Sequence, residues 1–320
     1  MKIHEKFMER CLQLAKNGWG TTYPNPMVGC VIVKDGKIIA EGWHHHAGGP
    51  HAEAHAIMQA KADELKGATL YVNLEPCNHI GRTGACAPLV ASHGITTVVI
   101  GCVDSNKKVN GSGIDYLKGQ GLKVITGVLE QEAQALNKRF FRFHRDKRPH
   151  LVLKWAQTKN QFFAPHSKEI NRPVWISNAY SRQHAHSLRS KEQAILVGHN
   201  TWLEDQPKLT AYRWNENNPT KVVLGGSQRP TKEVLWIQRN RVDTVGELLH
   251  ELYKNDIQSV LIEGGAKTLQ QFIDADLWDE CYVYQSPNDW NEGLKAPRMP
   301  GNPKSLTEYG TDELLYFSKE

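Results

Sequence analysis

A histidine, a glutamate and two cysteines form the pattern that most constrains this sequence. His51-Ala52-Glu53 is followed by Pro76-Cys77 and then by Cys86. An imidazole and two thiolates are three of the ligands that a tetrahedral zinc ion takes. A structural zinc site normally has four protein ligands, whereas a catalytic site leaves one position for water. We therefore expect a fold that brings His51, Cys77 and Cys86 together around Zn²⁺ with one open position.

Glu53 has the place of a general acid/base that is not itself a metal ligand. Residues two apart on a helix do not share a face, so His51 and Glu53 can address the metal and the substrate from different sides. Zinc lowers the pKa of its water to about 7, and the resulting hydroxide can attack an amino-bearing ring carbon. Glu53 would pass the water proton to a ring nitrogen and then to the departing amine. The pattern predicts a zinc-dependent deaminase; a structural zinc closed by His79 is the alternative.

Composition and charge favour a soluble enzyme of the cytoplasm. The chain has 320 residues and a net charge of +5, spread without a dense basic stripe. That distribution suits an anionic small molecule and argues against nucleic acid as the partner. No apolar stretch is long enough to span a membrane, and the first residues lack the apolar segment of a secretory signal. The cysteines outside the motif fit buried core positions, and these are Cys11, Cys30, Cys102 and Cys281.

Strands alternate with helices along the whole chain, which predicts layered α/β domains. Lys147-Arg148-Pro149 is the best linker candidate, and we expect domains at 1–146 and 148–320. The elements predicted for the first domain are a helix ending at Asn17-Gly18, a hairpin of Val28–Val33 and Ile38–Ala40, helices at His51–Gln59, Cys86–Ser92 and Glu130–Phe143, and strands at Thr69–Leu74, Val98–Cys102 and Lys123–Thr126. Those predicted for the second are strands at Leu151–Ala156, Val174–Ser177, Ile195–Gly198, Lys221–Leu224, Val260–Glu263 and Tyr282–Tyr284, and helices at Ala179–Arg189, Val245–Lys254 and Lys267–Asp274.

Three segments resemble the bifunctional deaminase–reductase family of riboflavin biosynthesis. They are Pro24-Asn25-Pro26-Met27-Val28-Gly29-Cys30, His51-Ala52-Glu53-Ala54-His55-Ala56 and Leu74-Glu75-Pro76-Cys77-Asn78-His79-Ile80-Gly81-Arg82-Thr83. The resemblance implies a cytidine-deaminase-like three-layer domain followed by a dihydrofolate-reductase-like α/β domain. It also implies deamination of 2,5-diamino-6-ribosylamino-4(3H)-pyrimidinone 5′-phosphate, and then reduction of the ribosyl group to a ribityl chain by NADPH. A homodimer through the C-terminal domain is a further implication.

The resemblance also assigns residues to the two sites. Those that would contact substrate in the deaminase are Asn25, His44, His79 and Arg82. Those that would contact substrate in the reductase are Arg189, Leu209, Arg213 and Glu263. Those that would bind NADPH are Gln157, Ile176, Thr201, Asp205, Gly264 and Gly265. From the residues alone, Glu263-Gly264-Gly265 ends an apolar strand and opens a helix, where backbone N–H groups can meet a cofactor phosphate.

The second half departs from the family pattern at several positions. Asn160-Gln161 stands in place of an Asp-Gly pair, Gly225 in place of a strand-end aspartate, and Tyr212 in place of an arginine that appears one residue later as Arg213. An alternative is therefore an active deaminase whose C-terminal half is a structural scaffold. A deaminase of free nucleosides or RNA is disfavoured by the long Cys77–Cys86 interval, and a non-enzymatic zinc module gives Glu53 no role.

Overall fold

The structure of the protein is a computed structural model that describes residues 2–79, 84–104, 110–166, 174–212, 218–238 and 242–319. The chain divides into two compact units, Met1–Asp146 and Lys147–Glu320. Within the described ranges, no helix has both the length and the apolar character needed to cross a membrane.

The N-terminal unit is built on a five-stranded sheet in the order β2-β1-β3-β4-β5. Its strands are β1 Gly29–Lys34, β2 Lys37–Trp43, β3 Thr69–Leu74, β4 Thr97–Cys102 and β5 Lys123–Thr126. Its helices are α1 Lys2–Ala15, α2 Ala52–Gln59, α3 Ala62–Leu65, α4 Cys86–Ser92, α5 Ser112–Gly119, α6 Glu130–Leu136 and α7 Lys138–Asp146, with a 3₁₀ turn at Lys16–Gly18. β1 pairs antiparallel with both neighbours, whereas β3, β4 and β5 run parallel.

Both faces of this sheet are covered by helices, which gives the three layers expected from the sequence. Successive side chains of a strand point to opposite faces. Cys30 and Ile32 accordingly pack with α2, α4 and α5, while Val31 and Val33 pack with α1. The parallel strands end at the edge of the sheet where β3 leads into Pro76-Cys77, and this connection positions part of the first site.

The predicted single helix Glu130–Phe143 is wrong, because the chain breaks at Asn137 into α6 and α7. The Asn137 side chain is buried and accepts a hydrogen bond from the Met27 backbone N–H at 2.8 Å. Its amide also donates to the Met27 carbonyl at 2.8 Å. Asn137 satisfies two backbone groups of a distant loop, and this tertiary contact overrides the helical periodicity around it.

The C-terminal unit contains an eight-stranded sheet in the order β10-β9-β8-β11-β6-β12-β15-β14. The strands are β6 His150–Gln157, β7 Phe162–Ala164, β8 Ala194–Gly198, β9 Thr220–Leu224, β10 Leu235–Ile237, β11 Ser259–Ile262, β12 Glu280–Gln285, β13 Leu294–Lys295, β14 Ser305–Tyr309 and β15 Asp312–Ser318; β7 and β13 form a separate pair. The helices are α8 Ala179–Lys191, α9 His199–Asp205, α10 Val245–Lys254 and α11 Ala266–Asp274. β15 and β14 form an antiparallel edge, whereas the other six strands run parallel.

The predicted strand Val174–Ser177 is wrong, because this segment is neither helix nor strand. Trp175 is 67% exposed and lies against the Arg182 guanidinium rather than against a neighbouring strand. The segment leads directly into α8, where the Asn178 side chain caps the helix by accepting from the Ser181 N–H. An apolar run is a weak strand signal when no paired strand buries it.

Candidate active sites

The three predicted zinc ligands converge in the N-terminal unit. His51 is the N-cap of α2, Cys77 follows β3, and Cys86 is the first residue of α4. His51 Nδ1 lies 3.6 Å from Cys77 Sγ and 3.3 Å from Cys86 Sγ. Zinc–ligand bonds of about 2.0–2.3 Å at tetrahedral angles put neighbouring N and S atoms roughly 3.5 Å apart. The donor set and these distances therefore fit a zinc ion bound by His51, Cys77 and Cys86.

The two thiols interact strongly and differ in acidity. The hydrogen bond from the Cys86 thiol is the main cause that lowers the pKa of Cys77 to about 4, with His51 and the Cys86 backbone N–H adding to it. That N–H lies 3.4 Å from Cys77 Sγ. The same contact, together with burial, raises the pKa of Cys86. A helix start favours a thiolate at Cys86, but in the folded chain Cys77 carries the charge first, and a bound cation would favour both thiolates.

Glu53 lies in the first turn of α2 and is 3% exposed. Burial raises the pKa of its carboxyl, and the neighbouring Cys77 charge raises it further, while His51 and a hydrogen bond with Cys86 oppose the shift. Its carboxyl is therefore next to the ligand atoms and holds a proton more readily than an exposed glutamate does. That is the property required of a group that takes up and returns a proton during catalysis.

Asn25 and His44, two of the residues expected to contact substrate, lie together beside this cluster. His44 Nδ1 donates to the Pro50 carbonyl at 3.0 Å, which leaves Nε2 to accept from the Asn25 amide at 3.0 Å. The His44 and His51 rings meet edge to face with centroids 5.3 Å apart. Burial lowers the pKa of His44, so its imidazole is neutral and the tautomer is fixed by its neighbours.

Of the other two residues expected to contact substrate, only His79 lies in the part of the chain that the structure describes. His79 is exposed and is not among the ligand atoms brought together at His51. Arg82 lies outside the described residues.

Sequence analysis gave no role to Glu75, which organises the loop next to Cys77. The Glu75 carboxylate is 4% exposed and accepts from the backbone N–H groups of Gly111 and Gly113, each at 2.9 Å. The Pro76 carbonyl occupies the space that a side chain at residue 113 would need, so glycine is required there. A glutamate between a buried strand and a Pro-Cys pair was the available signal, because a buried carboxylate needs donors.

Three charged side chains meet in the C-terminal unit beside the central strands β6 and β11 of its sheet. Arg189 of α8 donates from Nε to Glu263 Oε1 at 2.9 Å and from Nη2 to Oε2 at 2.7 Å. Lys154 of β6 places Nζ 3.6 Å from Glu263 Oε2. Burial acts to raise the pKa of Glu263, but Arg189 and Lys154 outweigh it and hold that pKa at about 2. With two cations and one carboxylate, the cluster keeps a net positive charge that suits an anionic substrate.

Two glycines next to this cluster bring the backbone before α11 close to Thr201 and Thr268. A Cβ at Gly265 would lie 3.2 Å from Thr201 Oγ1, and one at Gly264 would lie 2.9 Å from the Thr268 Cβ. Gly265 is the N-cap of α11 and has no side-chain cap, so backbone N–H groups there are available to an anion. This cradle of Gly264, Gly265 and Thr201 fits the close approach of a dinucleotide phosphate.

The remaining predicted residues of this unit differ in how far they are exposed. Gln157 is buried, and its side chain accepts from Trp155 Nε1 at 2.9 Å. Leu209 is 2% exposed and its side chain packs in the core, so only its backbone can meet a ligand. Asp205 ends α9 and Ile176 precedes α8, both partly exposed. Arg213 lies outside the described residues.

The departures from the family pattern occupy turns and surfaces rather than the charged cluster. Asn160 lies in the β6–β7 turn, where its amide donates to the Trp290 carbonyl at 2.7 Å, and Gln161 takes a positive φ of 65°. Gly225 has φ 95°, a backbone conformation that an aspartate would adopt only under strain. Tyr212 is 61% exposed. The Tyr212 ring meets the His186 ring edge to face with centroids 6.2 Å apart, and His186 and Arg189 both donate to the Thr210 carbonyl.

Comparisons with known proteins agree with this geometry. Residues 1–102 match the family model described as the cytidine and deoxycytidylate deaminase zinc-binding region, and residues 149–288 match the RibD C-terminal domain. The chain is 36% identical to the riboflavin biosynthesis protein RibD of Aquifex aeolicus over 99% of each chain.

Two solved structures have the same fold over 99% of both chains. One is the diaminohydroxyphosphoribosylaminopyrimidine deaminase/5-amino-6-(5-phosphoribosylamino)uracil reductase of Thermotoga maritima, with 34% identity and a TM-score of 0.88. The other is Acinetobacter baumannii RibD, with 29% identity and a TM-score of 0.89. The units are a cytidine-deaminase-like domain and a dihydrofolate-reductase-like domain, and their cofactors are zinc and NADPH. The chain belongs to the RibD family of riboflavin biosynthesis proteins.

Proposed function

We propose that this chain catalyses two consecutive reactions of riboflavin biosynthesis, a deamination followed by a reduction. The substrate is 2,5-diamino-6-ribosylamino-4(3H)-pyrimidinone 5′-phosphate, and the product carries a ribityl chain on an aminouracil. The observation that carries this proposal is the meeting of His51 Nδ1 with two cysteine sulfurs beside the buried Glu53. That arrangement has the ligands, the open position and the proton carrier that hydrolytic deamination needs.

In the deaminase site, the chain's own residues hold the substrate and move protons. His51, Cys77 and Cys86 would hold the zinc ion, which would supply a water of lowered pKa. Glu53 would take one proton from this water and give it to a ring nitrogen while the water oxygen bonds to the amino-bearing carbon. It would then move the remaining hydroxyl proton to the amino group, which leaves as ammonia as the C–N bond breaks and the carbonyl forms. Asn25 and His44, which are joined by a hydrogen bond, orient the pyrimidine.

In the reductase site, NADPH supplies the hydride and the chain supplies charge and position. Gly264 and Gly265 admit the cofactor to the N-terminus of α11, with Thr201 beside them. Arg189 and Lys154 provide the positive charge that attracts the substrate, and Glu263 keeps both cations in place. The ribosyl C1′ accepts the hydride after the sugar ring opens, and the ring oxygen takes up a proton to become a hydroxyl group.

We also infer the setting in which the enzyme works. All six cysteines are free thiols, and two of them are ligands that oxidation would disable, which suits the reducing cytoplasm. The diffuse net charge of +5 supports a small phosphorylated substrate rather than a nucleic acid. A homodimer through the C-terminal unit is our expectation, and analytical ultracentrifugation of the full chain tests it.

The test of the proposed function uses the purified, zinc-loaded full chain and the diaminopyrimidine substrate, with and without NADPH. Without NADPH, mass spectrometry should show only the product in which a carbonyl oxygen replaces an amino group. With NADPH, that product should convert to one heavier by a hydride and a proton. Accumulation of the deaminated product despite NADPH would favour the scaffold alternative, and an unchanged substrate would refute the deaminase.

A further inference from the structure

A buried tyrosine of the C-terminal unit is connected to the charged cluster, although neither sequence nor family comparison gave it a role. Tyr284 of β12 is 1% exposed. Its hydroxyl and His184 Nδ1 are joined by a hydrogen bond of 2.8 Å, and His184 lies on α8. On its other side the His184 ring stacks on Tyr309, with centroids 4.9 Å apart and an interplanar angle of 26°. The phenol is therefore held by His184 of α8, and Tyr309 of β14 in turn holds the His184 ring.

The ring of Tyr284 lies next to Lys154. Lys154 Nζ is 5.6 Å from the Tyr284 ring centroid, within the range of a cation–π interaction. β6 and β12 are parallel neighbours in which Ala156 pairs with Tyr284 and Lys154 with Tyr282. Because the side chains of a strand alternate, Lys154 and Tyr284 lie diagonally on the same face of the sheet. The strand register thus fixes the ring beside the ammonium group.

The pair formed by Tyr284 and His184 carries no charge of its own. Burial raises the pKa of Tyr284, so the phenol stays protonated. Burial, together with the nearby Lys191, lowers the pKa of His184 to about 4, so the imidazole is neutral. Neither group competes with Lys154 for Glu263. The ring offers an attractive face to the ammonium without neutralising it.

We propose that Tyr284, held by His184, is a positioning residue of the reductase site that fixes the Lys154 ammonium where it can protonate the ribosyl ring oxygen. The proposal rests on the proposed reductase function. Lys154 is the proton source because its side chain is only 16% exposed and its Nζ lies in the site, 3.6 Å from Glu263 Oε2. Arg189, the other cation, is held by both guanidinium hydrogen bonds to that carboxylate and keeps its protons.

The reduction uses one proton from Lys154 and one hydride from NADPH. The bond between C1′ and the ring oxygen breaks, and its electron pair goes to the oxygen, which takes a proton from the Lys154 ammonium. The amine nitrogen shares its lone pair with C1′, forming a C=N⁺ group. C1′ then accepts the hydride that NADPH supplies, the nitrogen recovers its lone pair, and NADP⁺ is left. Lys154 regains its proton from solvent after the product leaves.

The test compares three variants of the full chain, each supplied with the deaminated substrate and saturating NADPH. Tyr284→Leu removes the ring, and Tyr284→Phe keeps the ring but removes the bond to His184. Tyr253→Leu is the matched control, because the Tyr253 ring lies 5.8 Å from a different lysine, Lys147. We expect Tyr284→Leu to lower kcat about tenfold, the scale of one cation–π interaction. Tyr284→Phe should lose about threefold, and the control should stay within about twofold of wild type.

KM values separate positioning from general damage to the fold. In Tyr284→Leu the KM for substrate and for NADPH, and the deaminase rate, should match wild type. Equal losses in the Leu and Phe variants, an unchanged kcat in Tyr284→Leu, or a raised KM with normal kcat would each overturn the positioning role.

A second measurement does not depend on reductase activity. The rate at which an amine-specific reagent labels Lys154, read by peptide mass spectrometry, should change in Tyr284→Leu and not in Tyr253→Leu. If wild type oxidises no NADPH, the proposed function fails, and this labelling still decides whether Tyr284 positions Lys154. Identical labelling in all three proteins would refute the contact itself.

Discussion

Glu53 in the N-terminal unit is 3% exposed and the Glu263 side chain in the C-terminal unit is 9% exposed, yet their pKa values move in opposite directions. Glu53 has a raised pKa, mainly because of burial, and the Cys77 thiolate adds to the shift. Glu263 is also buried, but Arg189 and Lys154 bring its pKa down to about 2. Burial is common to both sites, so the sign is set by the charges that face each carboxyl.

This difference matches two kinds of chemistry. A carboxyl with a raised pKa can exchange a proton near neutral pH, which is what a deaminase needs from Glu53. A carboxylate held by two cations does not exchange protons, and Glu263 serves instead to keep Arg189 and Lys154 in fixed places. The same residue type therefore moves protons in one unit and fixes cations in the other.

Replacing each glutamate by glutamine is the strongest test of whether Glu53 carries protons while Glu263 does not. Glu53→Gln keeps the shape and hydrogen-bonding capacity but cannot carry a proton, so we expect deamination to fall by about 10²–10⁴-fold. Zinc content, measured by elemental analysis, should not change because Glu53 is not a ligand. Glu263→Gln is the matched control and should leave the deaminase rate intact. Full deaminase activity in Glu53→Gln would remove the proposed proton carrier.

The depressed pKa of Glu263 predicts how the C-terminal unit responds to acid. A carboxylate whose folded pKa lies near 2 stabilises the fold above its unfolded pKa of about 4.3 and loses that contribution as pH falls toward 2. The size of the effect is on the order of 3 kcal/mol. Denaturant unfolding of wild type should weaken between about pH 5 and pH 2 by this amount more than that of Glu263→Gln. Glu308→Gln, at an exposed position, serves as control and should follow wild type.

Asn137 provides a smaller test that is confined to the N-terminal unit. Asn137→Ala leaves the Met27 backbone N–H without its acceptor, which should cost about 1–3 kcal/mol in the free energy of unfolding. The Met27 carbonyl keeps a second donor, because the Asn73 amide also reaches it at 3.1 Å. The reductase rate should not change. If the KM of the deaminase rises as well, the loop of Asn25 depends on this contact.

Local patterns allowed the three metal-ligating residues of the first site to be predicted from sequence. His51 precedes α2, Cys77 follows β3 and Cys86 begins α4, and the bounds of Thr69–Leu74 and Cys86–Ser92 were predicted as the structure has them. Glu75 was missed because its donors lie on a loop and helix that are distant in sequence. The broken helix at Asn137 has the same cause, since its partner Met27 is 110 residues away.

Arg189 and Glu263 of the second site were predicted as separate residues, and Lys154 was not predicted as a site residue. Lys154 lies on β6, Arg189 on α8 and Glu263 directly after β11, and only the sheet order β11-β6-β12 brings Lys154 between Glu263 and Tyr284. The spacing of these residues along the chain does not show that they are neighbours, because the parallel pairing of the strands determines it. The C-terminal hairpin of β14 and β15 was also missed, because the side chains of β14 are almost all exposed and β15 alternates only in part between buried and exposed positions.

Gly265 offers the mildest test and concerns the cofactor rather than the charges. A Cβ there would lie 3.2 Å from Thr201 Oγ1, so Gly265→Ala should shift Thr201 slightly and narrow the cradle without unfolding α11. We expect the Kd for NADPH, measured by calorimetry, to rise about tenfold, or roughly 1.4 kcal/mol. Gly246→Ala, which meets only Thr244 Oγ1 at 3.8 Å, is the matched control and should bind NADPH normally. Equal affinity in both variants would place the cofactor away from α11. The proposed reductase site would then be supported only by the charged cluster around Glu263.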